Sequence, residues 1–170
     1  MSESTKDWSH LYEREHDLSS PLVLDATIVH GFKRGSKELG IPTANLNMDE
    51  LASLGDSLET GIYYGHAELR GTTYIAVVSI GWNPYYKNEK KTIEAHLLSQ
   101  LEDFYGERLV LTLEGFLRSE ANFESLGPSF TNTNACLLTN FALFVISDDL
   151  ISCIHTDIAR SKEKLEKQQT

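Results

Sequence analysis

The sequence predicts a mainly β domain, an antiparallel barrel or sandwich of short strands with one amphipathic helix at its C-terminal end. Three observations carry that prediction. Apolar and polar residues alternate with period two in several short runs rich in Val, Ile, Tyr and Thr. Turn residues separate those runs, and the period lengthens to that of a helix only from Asp148 onward.

In chain order, Met1 to Ser20 is polar, with only Trp8, Leu11 and Tyr12 to bury, and reads as a mobile tail or a short surface helix. The run LVLDATIVHG after Pro21 is alternating and β-branched, which suits a first strand. Leu46 to Thr60 is a polar connection with room for one helical turn. Gly61 to Leu69, a turn at Gly71, and Thr72 to Ile80 read as a β-hairpin. Gly81 to Lys91, GWNPYYKNEKK, has the turn residues, aromatics and charges of a long loop. Thr92 to Leu98 returns to strand character, with Glu94 and His96 on one face and Ile93, Ala95 and Leu97 on the other. Asp103 to Gly106 is a turn, and Arg108 to Leu117 is a strand with apolar residues at 109, 111 and 113, plus Phe116. Leu150, Ile151, Ile154, Ile158 and Leu165 then fall on one helical stripe, which should pack on the barrel.

At 170 residues the chain is one domain with a core large enough to need no metal or disulfide staple. Fifteen basic against 25 acidic residues give a formal charge of -10, which argues against nucleic acid and anionic membranes as partners. Cys136 and Cys153 match no metal-ligand spacing and read as two reduced thiols. A charged N-terminus and the absence of a membrane-length apolar run point to a cytoplasmic protein, expected to be monomeric.

Chemistry concentrates first in Gly31 to Asn45, GFKRGSKELGIPTAN. Gly31, Gly35 and Gly40 let a ligand approach the backbone, and Lys33, Arg34 and Lys37 bring positive charge to an acidic chain, a combination that suggests a phosphate. It is not a Walker loop, and GFKRGSK alone reads first as a tight, solvated turn. Thr43 and Asn45 are likewise ordinary turn residues when taken alone.

Together, GFKRGSKELGIPTAN, TGIYYG, SIGWNPYYKN, IEAH, DFYGE and GFLRSEANFESL resemble, in this order, the riboflavin kinase family, over most of the chain from Gly31 to Leu126. The resemblance implies a six-stranded antiparallel Greek-key barrel, ATP as co-substrate, and transfer of its γ-phosphate to the 5′-hydroxyl of riboflavin to give FMN. It implies nucleotide-phosphate contacts at Gly31 and Lys37 and a metal pair at Thr43 and Asn45. Magnesium is the natural ion there, with zinc or manganese as alternatives. Glu94 corresponds to the catalytic base. Leu97, Ser99 and Tyr105 match positions at the adenine end of ATP, and Arg118 and Phe123 match the flavin side. Ala121 stands where relatives often carry a lysine. The Gly81 to Lys91 loop would act as a flap.

Residues 21–170 thus form the expected kinase domain behind a 1–20 tail. One stretch departs from the pattern: Gly127 to Ser147, GPSFTNTNACLLTNFALFVIS, matches nothing in the family, and deleting it restores a direct FESL-DDLIS junction. A translated short intron is the preferred reading, and an extra strand is the alternative. An inactive flavin- or nucleotide-binding barrel is the competing functional reading that the segment raises. The intact mass of the native protein is expected to lack these residues, and a native mass that includes them would sink the intron reading.

Overall fold

The period-two runs become six strands that close on themselves. The computed structural model describes residues 9–30, 43–55, 57–82, 91–99, 101–120 and 148–168. β1 (His16–Val29), β2 (Thr43–Leu46), β3 (Gly61–Leu69), β4 (Thr72–Trp82), β5 (Lys91–Leu97) and β6 (Arg108–Arg118) form a closed barrel in the order β1-β2-β5-β4-β3-β6, every pair antiparallel. β3, β4 and β5 are consecutive neighbours, and β2 lies beside β5, which is Greek-key connectivity. A single helical turn, α1 (Ala52–Gly55), lies between β2 and β3, and α2 (Asp148–Gln168) ends the described chain. Among the described residues no helix is long and apolar enough to cross a membrane.

Alternation sorts the side chains into two layers. Leu24, Ala26 and Ile28 of β1, Val78 and Ile80 of β4, Ile93, Ala95 and Leu97 of β5, and Leu109, Leu111 and Leu113 of β6 fill the barrel interior. Ile62 and Tyr64 of β3, Val77 and Leu117 point outward, where Ile154 and Leu165 of α2 and Tyr12 pack on them. The predicted helix stripe covers the barrel at Ile154, Ile158 and Leu165, and it carries a polar insert at Asp157 and Ser161, both buried.

Two irregularities explain what period two alone misses. The β3–β6 register shifts twice, so Phe116 pairs with Tyr63 and points inward although it is out of step with Leu109, Leu111 and Leu113. A further shift between Asp17 and Leu22 breaks the β1–β6 ladder. That bulge hides the true start of β1, which is His16 and not Pro21, because the run Asp17-Leu18-Ser19-Ser20 has one apolar residue and no sustained alternation. The polar N-terminal stretch is also partly structural: Ser9–Tyr12 forms a 3-10 turn with Tyr12 buried. Similarly, β4 runs through Trp82 and β5 begins at Lys91, so Gly81, Trp82 and Lys91 belong to strands and not to the predicted loop. Residues 83–90 of that loop lie outside the described residues.

The β3–β4 turn is made by Arg70 and Gly71, with φ of 54° and 72°, the left-handed pair that a two-residue hairpin turn requires. Gly65 serves closeness instead. A β-carbon there would run into the Thr112 backbone carbonyl of β6, which cannot retreat without breaking the ladder. Gly65→Ala is expected to destabilise the fold by about 3 kcal/mol, read as a lower urea midpoint.

Candidate active site

The outer face of the barrel carries two parallel rows of side chains, fixed by strand register. One row runs Asn45, Glu94, Ser79, Ile62, Arg118 across β2, β5, β4, β3 and β6. The next runs Thr43, His96, Val77, Tyr64, Gly115 and reaches Asp17 on β1. Thr43, Asn45, Glu94 and His96 thus occupy one patch of two adjacent strands, and the middle of both rows is covered by α2.

Glu94 is 5% exposed. Burial pushes its carboxyl up to about 7, while a hydrogen bond donated by the Thr43 hydroxyl pulls the other way. A buried carboxylate with one fixed donor, held on a strand, is a group poised to take a proton near neutrality. Thr43 and Asn45, two residues apart on β2, present a hydroxyl and an amide to the same side. The Thr43 hydroxyl that bonds Glu94 and the Asn45 amide are neutral oxygen donors of the kind that hard cations accept. Among the described residues no cluster of three or more His, Cys, Asp or Glu that could hold a metal ion is present.

Other sequence-predicted residues are distributed around this patch. Leu97 ends β5 with its side chain in the barrel core, leaving only its backbone to face a ligand. The Ser99 N–H donates to the Leu97 carbonyl at 2.8 Å, so the chain bends sharply there. Tyr105 is half-exposed, its ring 3.9 Å from that of His30, at the end of β1 from which the Gly31 segment departs. Gly31, Lys37 and Phe123 lie outside the described residues.

Arg118 stands apart from Glu94 by three strands, and its environment differs from a surface arginine. It is wholly buried at the end of β6, with Nε and Nη2 donating to the two carboxylate oxygens of Asp157 at 2.8 and 2.6 Å and Nη1 donating to the Ser119 carbonyl at 3.1 Å. Burial alone would lower its pKa, but the bonds and charge of Asp157 outweigh it and hold the guanidinium above its ordinary value. The Tyr12 hydroxyl donates to the same carboxylate at 2.7 Å. Burial, then Asp157, push that phenol upward, and burial pushes the neighbouring Cys153 thiol up to about 11, so both are protonated at neutral pH. Sequence reasoning missed Asp157 and Tyr12. The available signal was an aspartate within the stripe formed by Ile154, Ile158 and Leu165.

A family model described as "Flavokinase: Riboflavin kinase" matches residues 18–128. The riboflavin kinase of Homo sapiens is 43% identical over 148 residues, covering 86% of this chain and 82% of the human protein. Two solved structures share the fold: the riboflavin kinase of Trypanosoma brucei, with a TM-score of 0.57 at 23% identity over 88% of this chain and 83% of that one, and a macrolide-efflux protein of Streptococcus pneumoniae, with a TM-score of 0.58 at 22% identity over 84% and 38%.

Proposed function

The chain belongs to the riboflavin kinase family, and on that premise we propose how its residues divide the work of phosphoryl transfer. The activity is that of a phosphotransferase, with ATP as co-substrate and riboflavin converted to FMN. Glu94 is the base that accepts the 5′-hydroxyl proton of riboflavin as that oxygen attacks the γ-phosphate. The observation that carries this role is the buried Glu94 carboxyl, raised to about 7 and held by the Thr43 hydroxyl.

Phosphoryl transfer demands alignment and charge neutralisation more than covalent help from the protein. Thr43 and Asn45 would hold a divalent cation, magnesium by preference, that neutralises charge on the nucleotide phosphates. Their neutral oxygens suit a hard ion whose shell is completed by phosphate and water. Gly31 and Lys37 are assigned to the phosphates, and Leu97, Ser99 and Tyr105 to the adenine end. Arg118 and Phe123 are assigned to the flavin. Glu94 and Arg118 lie in one row, three strand spacings or roughly 14 Å apart, with Ile62 between them covered by α2.

Incubation with riboflavin, ATP and magnesium, followed by chromatography, is expected to yield FMN. Chelation of the cation before adding ATP should cut the yield at least tenfold, with magnesium restoring it. FMN formation indifferent to chelation would remove the metal from Thr43 and Asn45. Flavin binding without FMN would favour the inactive-barrel reading.

A further inference from the structure

α2 has an apolar means of attachment. Ile154 and Leu165 pack on Ile62, Tyr64, Val77 and Leu117. At its rim, Lys164 reaches Glu15 at 3.1 Å and Asp17 at 3.2 Å, and the Arg160 guanidinium lies 4.0 Å over the Tyr12 ring. Against that seam sits the fully desolvated Arg118–Asp157 pair, with side chains 0% and 4% exposed. Removing two charges from water costs about as much as their attraction returns, and an apolar pair of similar volume would hold the helix as well or better. Adhesion therefore does not account for the pair. Its geometry offers another reason, because both partners are fixed by more than each other.

Asp157 is held from two sides, by the guanidinium and by Tyr12 from the N-terminal turn. The fork of Arg118 is thereby locked in plane and rotation. Its remaining nitrogen, Nη1, grips the carbonyl of Ser119, the first peptide beyond β6. The Ser119 hydroxyl in turn accepts from Arg14 at 3.3 Å. The chain of contacts runs from Asp157 through Arg118 to the Ser119 backbone, where the chain leaves β6.

We propose that Asp157 is a positioning residue for the flavin: through its two-point grip on Arg118 it sets that side chain and the direction in which the chain leaves β6. This rests on the flavin-side assignment of Arg118 made above. Tyr12 supports the same carboxylate, so the N-terminal turn contributes to the flavin end although it lies 145 positions from Asp157 in sequence.

The test measures KM for riboflavin and for ATP separately, together with a riboflavin fluorescence titration, in Asp157→Asn and Tyr12→Phe at a temperature well below each unfolding midpoint. Asp157→Asn should raise the riboflavin KM and dissociation constant about tenfold while the ATP KM stays within twofold. Tyr12→Phe keeps the ion pair and should raise the riboflavin constants about threefold. A merely structural role would lower the active fraction and leave both KM values alone, and that result would overturn the proposal. Should Asp157→Asn fail to fold, unchanged riboflavin constants in folded Tyr12→Phe would overturn it equally. A wild-type chain that made no FMN would sink the kinase reading alone, since the titration needs no turnover and still decides the role of Asp157.

Discussion

Glu94→Gln is expected to lower the rate of FMN formation by roughly 10²–10⁴-fold while leaving riboflavin binding within twofold. The amide still accepts the Thr43 hydroxyl, so the pocket keeps its shape, and only the ability to take a proton is lost. Turnover near that of the wild type would remove Glu94 from the role. The same substitution carries a second signature in the metal-free protein. Burial raises the Glu94 carboxyl from its ordinary value of 4.5 to about 7, so the folded state binds the proton more tightly than the unfolded chain does. The stabilisation from the neutral carboxyl is therefore full below about pH 4.5 and is lost as the pH rises to about 7. A shift of that size corresponds to about 3 kcal/mol. Urea unfolding at pH 5 and pH 8 should show Glu94→Gln more stable than wild type at the higher pH by up to that amount. Equal stabilities at pH 8 would show that the carboxyl carries no such burial cost.

The second large effect lies at the buried ion pair. Asp157→Ala is expected to cost about 3–5 kcal/mol, because it leaves the Arg118 guanidinium uncompensated in a place with no access to water. The double variant Arg118→Met with Asp157→Leu should recover most of that loss, since an apolar pair continues the surface made by Ile62, Val77, Ile154 and Leu165. Denaturant midpoints of both variants check this. A double variant as unstable as Asp157→Ala would mean that the pair itself, and not the stranded charge, supplies the stability.

Much of the fold is legible in the sequence because a barrel wall has a simple rule, one face in and one face out. β3, β4, β5 and β6 follow it closely enough for strands and hairpin to be read directly, and the lengthened period at Asp148 announces α2. The rule fails at the bulges. Residues 17–20 could not be recognised as part of β1 because the register slips between Asp17 and Leu22, and Trp82 looked like loop because β4 ends in turn-forming company.

The site is legible to different depths. Alternation alone puts Glu94 and His96 on one face, whereas Thr43 and Asn45 read in sequence as turn residues and instead lie on one side of the four-residue strand β2, too short to show a pattern of its own. That these two strands are neighbours is a matter of topology, since β2 joins β5 across the β3–β4 hairpin. The partnership of Arg118 with Asp157 and Tyr12 was out of reach for a deeper reason. No local pattern encodes a contact 39 or 145 residues away, and an arginine at a strand end carries no mark of its burial.

That long-range partnership also sets an order of events as the chain is made. Barrel closure joins β1 to β6, and both are present once Arg118 has been synthesised. Its guanidinium must nonetheless wait, solvated, for a helix that begins at Asp148, and Tyr12 waits longer still. Contacts that span most of the chain form late, because loop closure must come before any reward. The nascent barrel can thus bring Glu94 beside β2 and β4 before Arg118 is fixed. Docking of α2 is therefore the late step that takes the Arg118 guanidinium out of water and completes its bonds.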